Sequence, residues 1–416
     1  MVPPCPVLAS VELAPGCDGQ LVRAIAMSRP IILTFVRYYL PGFKSGGPIR
    51  SIANMVEALD NEFEFKIVTS DRDSLDTTPY DGITSDRWMS VGKARVYYVS
   101  PERRRLFAWA GLIRETPHDV LYLNSLFNPV YTVLPLFARK LAGSQRKPVV
   151  VAPRGEFSTG ALGLKRWKKR PFLAVAQIAG LYRDVLWHAS TEDEAQLIRR
   201  HFGGAVRIVI ARNLPPMSGQ QWTSCEEIEA SGPLRVVFLS RISRMKNLDY
   251  ALRVLAETRV PIQFDIWGTL EDLAYWKNCE DQMRSLPKNV VAHYRGVADH
   301  SEVNKILADY DLFFLPTRGE NYGHVIAEAV SAGTPVLLSD QTPWRNLHDE
   351  GVGWDLPLEN GEAAFLKAIE KAAHTVRVGR VAWRQRVSDF AANRLNDPSL
   401  LEANRALFLQ AVADKV

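Results

Sequence analysis

Two glutamates, Glu320 and Glu328, lie in the part of the chain whose residue types are best suited to chemistry. An ionised carboxylate accepts hydrogen bonds and donates none, so it suits a ligand rich in hydroxyl groups, such as a ribose or a sugar ring. Gly323 stands between them, where a helix is predicted to begin, and the N–H groups of a helix N-terminus suit a phosphate. This segment therefore offers contacts for a nucleotide sugar.

The surrounding residues predict the elements that hold this segment. The apolar run 311–315 has the length of a strand, residues 325–330 show helical spacing, and Gly333 and the run 335–338 predict a helix end and the next strand. Together they predict a parallel βαβ unit with Glu320 in its loop. A purely structural interpretation is also open, in which one glutamate compensates the helix dipole and the other is solvated.

The segment resembles the Glu-x7-Glu motif of the retaining family-4 (group 1) glycosyltransferases, whose usual form is Glu-Gly-Phe-Gly, Glu-Ala and Gly-x-Pro-Val. Here it reads Glu320-Asn-Tyr-Gly323, Glu328-Ala329 and Gly333-Thr-Pro-Val336. The resemblance implies that Glu320 contacts the transferred sugar and that Glu328 contacts the ribose. It also implies a donor site that includes the following residues: Asn321, Tyr322, Gly323 and His324.

A second pair of candidates is basic. Arg241 and Lys246 lie in the loop between a predicted strand, 234–239, and a predicted helix. Arginine binds a phosphate bidentately and lysine adds a compact charge, although surface cations near a helix would look the same. The loop resembles the family's Gly-Arg-x4-Lys-Gly segment, with Ser240 and Asn247 in place of the glycines. The resemblance implies that both cations join Glu320 in catalysis and that no metal is needed.

Glycines at the ends of other predicted strands complete the expected donor site. Gly46 and Gly47 follow the strand 31–36, where the missing side chains let backbone N–H groups approach a ligand, although such a pair also makes an ordinary turn. They resemble the family's Gly-Gly loop, which packs over the diphosphate and the acceptor. Gly268 and Val297 end later strands and are further donor-binding candidates. Around Val297, the resemblance implies backbone contacts to the nucleotide base.

Polar residues follow two strands of the N-terminal half. Ligands of open parallel sheets gather outside the carboxyl ends of the strands, so we expect acceptor-side residues there, unless these residues only cap loops. They are Asn124, Ser125, Arg154 and Glu156. Many family members carry a histidine where this chain has Asn124-Ser125. Farther upstream, Asp71 and Asp73 form an Asp-x-Asp pair, for which we expect turn and capping roles rather than a metal site.

A basic run surrounds one tryptophan: Lys165, Arg166, Trp167, Lys168, Lys169 and Arg170. Such a run suits an anionic membrane surface or an acidic acceptor, at about 1 kcal/mol per basic residue near a membrane. The resemblance also implies membrane contact through this half. A solvated loop with a partly buried Trp167 is the structural alternative.

Composition limits the class of protein. The 416 residues suffice for two domains, and 47% hydrophobic with 23% charged residues is ordinary for a globular protein. A net charge of +5 does not indicate a nucleic-acid partner. The cysteines (Cys5, Cys17, Cys225 and Cys279) show no paired spacing, which favours a reducing compartment. Without an apolar run of membrane-spanning length, we expect a cytoplasmic protein, peripheral at the inner face of the cell membrane.

The expected fold class is α/β, with two Rossmann-like parallel-sheet domains facing across a cleft (GT-B type) and C-terminal helices that cross back to the first domain. We expect a disordered or non-native extension over 1–26, with translation starting at Met27 as one explanation, and no secretory signal. An acceptor-side domain follows over 27–218, then a donor domain over 219–380 and the returning helices over 381–416.

The resulting hypothesis is a retaining glycosyltransferase whose only co-substrate is a nucleotide sugar, with no further cofactor. Its acceptor is a saccharide or lipid-linked saccharide, and the setting is cell-surface polysaccharide synthesis. Two alternatives stay open. One is a nucleotide-sugar epimerase or phosphorylase on the same architecture, and the other is a non-enzymatic protein that binds membranes or polyanions through the basic run.

Overall fold

The structure, a computed structural model, describes residues 29–44, 46–74, 76–144, 147–157, 166–216 and 232–414. The expected extension over 1–26, the expected boundary near residue 218 and Lys165 lie outside these ranges. So do three of the four cysteines. Cys279 is buried.

The N-terminal domain is built on a sheet of eight described strands. They are β1 (Ile31–Phe35), β2 (Glu64–Ser70), β3 (Trp88–Val91), β4 (Ala94–Val99), β5 (Val120–Asn124), β6 (Val149–Ala152), β7 (Val185–Ala189) and β8 (Arg207–Ile210). Their order is β3-β4-β2-β1-β5-β6-β7-β8, and only β3 runs antiparallel to its neighbour among them. The helices are α1 (Gly47–Leu59), α2 (Leu106–Glu115), α3 (Leu134–Leu141), α4 (Arg166–Ile178) and α5 (Glu192–Phe202).

The C-terminal domain repeats this plan with an all-parallel sheet. Its strands are β9 (Leu234–Leu239), β10 (Ile262–Trp267), β11 (Val290–Gly296), β12 (Leu312–Leu315), β13 (Val336–Ser339) and β14 (Gly353–Leu356), in the order β11-β10-β9-β12-β13-β14. The helices are α6 (Leu248–Ala256), α7 (Leu273–Arg284), α8 (Val303–Ala308) and α9 (His324–Ser331). The predicted strands were recognisable because strands buried on both faces are continuous apolar runs. The half-exposed edge strand β3 has no such run and was missed.

Two helices close the chain, α10 (Glu362–Leu395) and α11 (Pro398–Ala413). The sequence predicts two helices in place of α10, over 362–373 and 382–395. The structure has two helical segments that meet at a kink at Gly379, whose φ of −169° and ψ of 42° are not helical. Residues 381–395 were expected among the returning helices. This expectation was wrong, because Trp383 and Val387 pack into the core of the C-terminal domain.

The return to the first domain is made by α11. Phe408 is fully buried in the N-terminal core, with its ring 5.4 Å from that of Phe63 and 5.3 Å from that of Tyr122. The Asn404 side chain donates to the carbonyl of Arg212 at 2.8 Å. These contacts confirm that the chain crosses back.

The carboxyl ends of both sheets face each other. In each sheet the order reverses beside the first strand, with β1 between β2 and β5 and β9 between β10 and β12. Such reversals place ligand-binding crevices at the carboxyl ends of strands. No helix of the described ranges has the length and apolar content that crossing a bilayer requires.

Candidate active site

A cavity of about 820 Å³ lies between the two domains. It is lined by the loops that follow β1, β6, β9, β10, β11 and β12, together with the first turns of α1 and α9. Among the described lining residues, seven side chains are basic and four are acidic. The basic residues are Lys44, Arg50, Arg154, Lys169, Arg241, Arg244 and Lys246, and the acidic ones are Glu271, Asp272, Glu320 and Glu328. The excess of positive charge suits an anionic ligand.

The two cations and two carboxylates singled out in the sequence all line this cavity. The ammonium of Lys246 is bonded to the carboxylate of Glu320, and Lys246 is 8% exposed. Arg241 pairs with a different carboxylate. Its Nη1 donates to both carboxylate oxygens of Glu271, at 3.0 and 2.9 Å. The sequence reasoning missed Glu271.

Asn247 shows how the basic loop keeps its shape without the family's usual glycine. Its φ of 62° is left-handed, a conformation that asparagine tolerates better than most residues. The side chain donates to the carbonyl of Pro316 at 2.9 Å and accepts from Nε of Arg318 at 3.0 Å. These bonds tie the β9–α6 loop to the β12–α9 loop and so bring Lys246 to Glu320.

The N-terminus of α9 faces the cavity at Gly323. The φ of Gly323 is 79°, a backbone conformation that strains any other residue, and a Cβ there would lie 2.6 Å from Cδ1 of Ile326, so the isoleucine side chain would have to shift. The next residue, His324, has its Nε2 2.9 Å from Oγ of Ser51 in α1, which makes a hydrogen bond between the domains. The Tyr322 ring packs beside it, 4.6 Å from the imidazole.

Burial of the Glu328 carboxyl raises its pKa to about 7. Arg50 in the first turn of α1 acts in the opposite direction, because its positive charge favours the ionised carboxylate. Burial lowers the pKa of Arg50 itself to about 10. The sequence reasoning missed Arg50 and Ser51, although both lie directly behind the Gly46-Gly47 pair on the predicted helix.

The expected glycines also line the cavity. A Cβ on Gly46 would lie 3.9 Å from Nε of Arg241, and one on Gly47 would lie 3.9 Å from Cδ2 of His324, so this loop opposes the C-terminal domain. Gly268 has a φ of 146°, and a Cβ there would lie only 1.8 Å from the carbonyl oxygen of Ser240. Val297 lies at the end of β11 on the same cavity.

Asn321 belongs to the cross-domain contacts as well. Its Oδ1 lies 2.9 Å from Oγ of Ser190 in the N-terminal domain. A Cβ on Gly155 would lie 2.8 Å from its Cβ, so only a glycine allows this approach. Contacts of Asn321 and His324 therefore bridge the two domains beside the cavity.

Of the four acceptor-side candidates, Arg154 lines the cavity, whereas Asn124, Ser125 and Glu156 are not among its described lining residues. Ser125 donates to Glu156 at 2.8 Å, and Glu156 also accepts from the backbone N–H groups of Leu126 and Phe127. These bonds fit the loop-capping alternative for Ser125 and Glu156. Asn124 accepts two hydrogen bonds from Arg154.

The Asp-x-Asp pair has the structural role that was expected. Asp73 accepts from the backbone N–H groups of Phe43 and Lys44 at 2.7 and 3.0 Å, which holds the β1–α1 loop. Asp71 pairs with Arg72 and Arg104. No group of three or more His, Cys, Asp or Glu side chains suited to a metal occurs among the described residues.

The basic run begins helix α4 rather than forming a loop, and Trp167 is 74% exposed rather than partly buried. Lys169 lines the cavity, and its Nζ lies 4.9 Å from the centre of the Phe127 ring. Arg170 is exposed on the same helix. The run is thus divided between the cleft and the outer surface.

Two family models match the chain, one on each side of the cleft. Residues 46–213 match the glycosyl transferase 4-like domain, and residues 223–375 match the glycosyl transferases group 1 domain. The first match includes Gly46 and Arg154, and the second includes the segment from Arg241 to Glu328.

Individual proteins are similar over different lengths. A Klebsiella pneumoniae protein described as an uncharacterized 41.2 kDa protein in the cps region is 25% identical over 68% of this chain and 77% of its own length. A phosphatidyl-myo-inositol mannosyltransferase of Mycobacterium leprae is 30% identical over 32% of this chain and 34% of its own length. The crystal structure of Anabaena HepE with UDP and glucose has a TM-score of 0.67 at 15% identity, over 92% of this chain and all of that one. The last comparison confirms the two-domain GT-B fold.

Proposed function

The chain belongs to the group 1 glycosyl transferases, and from this premise we propose that it transfers a sugar from a nucleoside-diphosphate sugar to a saccharide or lipid-linked saccharide. The transfer proceeds with retention of configuration and without a metal ion, in the synthesis of a cell-surface polysaccharide. The observation that carries the proposal is the meeting of Arg241, Lys246, Glu320 and Glu328 in one cavity at the N-terminus of α9.

Each of these groups has a role in the proposal that follows from its charge. As the sugar–phosphate bond breaks, negative charge develops on the leaving diphosphate, and cations placed there stabilise the transition state. Arg241, Lys246 and the backbone N–H groups at Gly323 and His324 supply that stabilisation. Glu320 accepts from hydroxyl groups of the transferred sugar, and its bond to Lys246 holds both side chains in place before the donor binds.

Glu328 binds the ribose of the donor in this proposal, and the base lies near Val297. A buried carboxyl with a pKa of about 7 exchanges protons near neutrality, so it is able to accept from ribose hydroxyl groups and, when protonated, to donate as well. UDP-sugars are the first donors to test, because HepE, which has the same fold, holds UDP and glucose.

Two similar proteins support the proposed setting. One is described as lying in a cps region, and the other is named phosphatidyl-myo-inositol mannosyltransferase. A lipid-linked saccharide at the cytoplasmic membrane face is the acceptor class that we propose on this basis.

The donor is identified by thermal stabilisation with UDP-, GDP- and ADP-sugars, because a ligand that binds the native state raises the melting temperature. The stabilising donor is then incubated with candidate acceptors, with and without EDTA. A transferase releases the nucleoside diphosphate and enlarges the acceptor, and NMR of the product gives its anomeric configuration. An isomerised donor without an enlarged acceptor would instead identify the epimerase.

We further propose that the protein contacts an anionic membrane through α4. Trp167, Val175 and Ile178 are 74%, 65% and 89% exposed, and their spacing puts them on one face of the helix. Arg170 adds positive charge at the same surface. An amphipathic helix with an apolar face and basic residues lies in the interface of an anionic bilayer.

Sedimentation with vesicles tests the membrane contact. We expect binding to vesicles rich in phosphatidylserine and little binding to neutral vesicles, and we expect Ile178→Asp to abolish it. Leu273→Asp is the matched control, because Leu273 is 70% exposed on the other domain. Equal binding to both kinds of vesicle, or equal loss in the control, would refute the contact.

A further inference from the structure

Arg154 projects into the cavity from the N-terminal wall, and all its hydrogen-bond acceptors are neutral. Its Nε and Nη2 donate to Oδ1 of Asn124 at 3.1 and 2.8 Å. Nη2 also donates to the hydroxyl of Tyr122 at 2.7 Å, and Nη1 donates to Oδ1 of Asn213. Within the described ranges, Arg154 forms no ion pair with a carboxylate.

This arrangement leaves donor capacity as well as charge. A guanidinium carries five N–H donors, so the four bonds leave one N–H of Nη1. Hydrogen bonds between a cation and an anion are stronger than neutral ones, and more so away from bulk water. The remaining N–H of Arg154 therefore favours an anionic ligand.

The backbone conformation of Arg154 and a chain of hydrogen bonds hold its side chain in a fixed position. Its φ of 56° is left-handed, a strained backbone conformation for an arginine. The Tyr122 hydroxyl accepts from Arg154 and donates to Nδ1 of His188 at 2.7 Å, and Nε2 of His188 donates to the carbonyl of Ala211 at 2.8 Å. Burial and the nearby charge of Arg154 lower the pKa of His188 to about 3, so the imidazole stays neutral. Strained backbone and a locked supporting chain are typical of binding residues.

The opposite wall differs in its charge balance. There Arg241 and Lys246 each face a carboxylate and, under the proposed function, serve the diphosphate of the donor. The N-terminal wall carries Arg154, which forms no ion pair within the described ranges, whereas the ammonium of Lys44 on the same wall is paired with Asp76 at 2.5 Å. Since the donor diphosphate is already neutralised from the other side under the proposed function, the charge of Arg154 faces the second substrate.

We propose that Arg154 binds a negatively charged group of the acceptor, a phosphate, a diphosphate or a carboxylate, and so selects anionic acceptors over neutral sugars. The inference rests on the proposed function, because it presumes that the donor occupies the C-terminal wall. Asn124, at the position where many family members carry a histidine, acts here as a positioning residue for Arg154.

The experiment measures anion binding to the full-length protein saturated with UDP, by isothermal titration calorimetry. The probes are inorganic phosphate, inorganic pyrophosphate and glucuronate, which separate phosphate from carboxylate recognition. We expect the wild type to bind at least one probe and Arg154→Gln to weaken that binding about tenfold or more, the loss of one charge-assisted contact. UDP affinity should change by less than about twofold.

Two further variants complete the experiment. Arg114→Gln, on the exposed face of α2, is the matched control and should bind the probe like the wild type. Tyr122→Phe keeps the cation and removes one of its supports, so it should weaken probe binding less than Arg154→Gln does. If Arg154→Gln does not fold, Tyr122→Phe replaces it in the experiment. Probe binding by Tyr122→Phe that equals that of the wild type would then count against the inference.

Three results would overturn the inference. The first is a wild type with bound UDP that binds none of the probes, and the second is an Arg154→Gln variant that binds the probe as tightly as the wild type. The third is a loss of UDP affinity in Arg154→Gln that matches its loss of probe binding, which would place Arg154 in the donor site. A wild type that binds no nucleotide or nucleotide sugar at all would instead refute the proposed function.

Discussion

The ammonium of Lys246 is bonded to the carboxylate of Glu320 across 74 residues of sequence. The two groups come from loops that follow neighbouring strands, β9 and β12, so the pairing is a consequence of the sheet order. Lys246 is 8% exposed, and removing one partner leaves the other charge poorly solvated.

Lys246→Ala should lower kcat about 10²–10³-fold, because it removes a positive charge from the leaving diphosphate and leaves Glu320 unpaired. The measurement is the rate of nucleoside diphosphate release with donor and acceptor saturating. Arg284→Ala is the control, since its ion pair with Asp281 lies on the surface, where such pairs contribute little. A Lys246→Ala enzyme within threefold of the wild type (roughly 0.6 kcal/mol) would remove Lys246 from the catalytic set.

Asn247 allows a prediction about stability. Asn247→Ala and Asn247→Gly both lose the hydrogen bond to Pro316, but alanine in the left-handed conformation adds strain that glycine avoids. We therefore expect Asn247→Gly to be more stable than Asn247→Ala by about 1 kcal/mol in urea unfolding. Equal stabilities would show that the loop relaxes away from this conformation.

The raised pKa of Glu328 predicts that the free energy of unfolding depends on pH. Its pKa is about 7 in the folded protein against a usual value of 4.5, so between those values the native state holds a proton that the unfolded state has released. Stability should therefore fall as the pH rises from 4.5 to 7, by up to about 1.4 kcal/mol per pH unit. Glu328→Gln stays neutral and should become more stable relative to the wild type over this window. The prediction would be contradicted if the free energies of unfolding of the wild type and of Glu328→Gln changed equally with pH over this window.

Substitution of Phe408 tests whether α11 packs on the N-terminal domain. Phe408→Ala should destabilise the protein by about 3–5 kcal/mol, because the ring is fully buried against Phe63 and Tyr122. Phe107→Ala is the matched control, since Phe107 is 80% exposed and its loss should cost no more than about 0.5 kcal/mol. Similar losses in the two variants would mean that the helix does not pack as described.

The sequence by itself determined the elements and the charged groups of the donor side. Buried parallel strands are apolar runs, their carboxyl ends lead into ligand loops, and neighbouring loops meet at one edge of the sheet. These rules were enough to bring Arg241, Lys246, Glu320 and Glu328 to one place, because all four belong to one domain.

What lies between the domains was decided by the tertiary structure. Ser51 and His324 are 273 residues apart, and no local pattern shows that they meet or that Arg50 approaches Glu328. Likewise Arg154 and Glu156 both follow β6, yet one faces the cavity and the other turns to cap the loop at Ser125. Side-chain direction in a loop depends on the backbone conformation and on packing against distant segments, neither of which residue type or spacing determines.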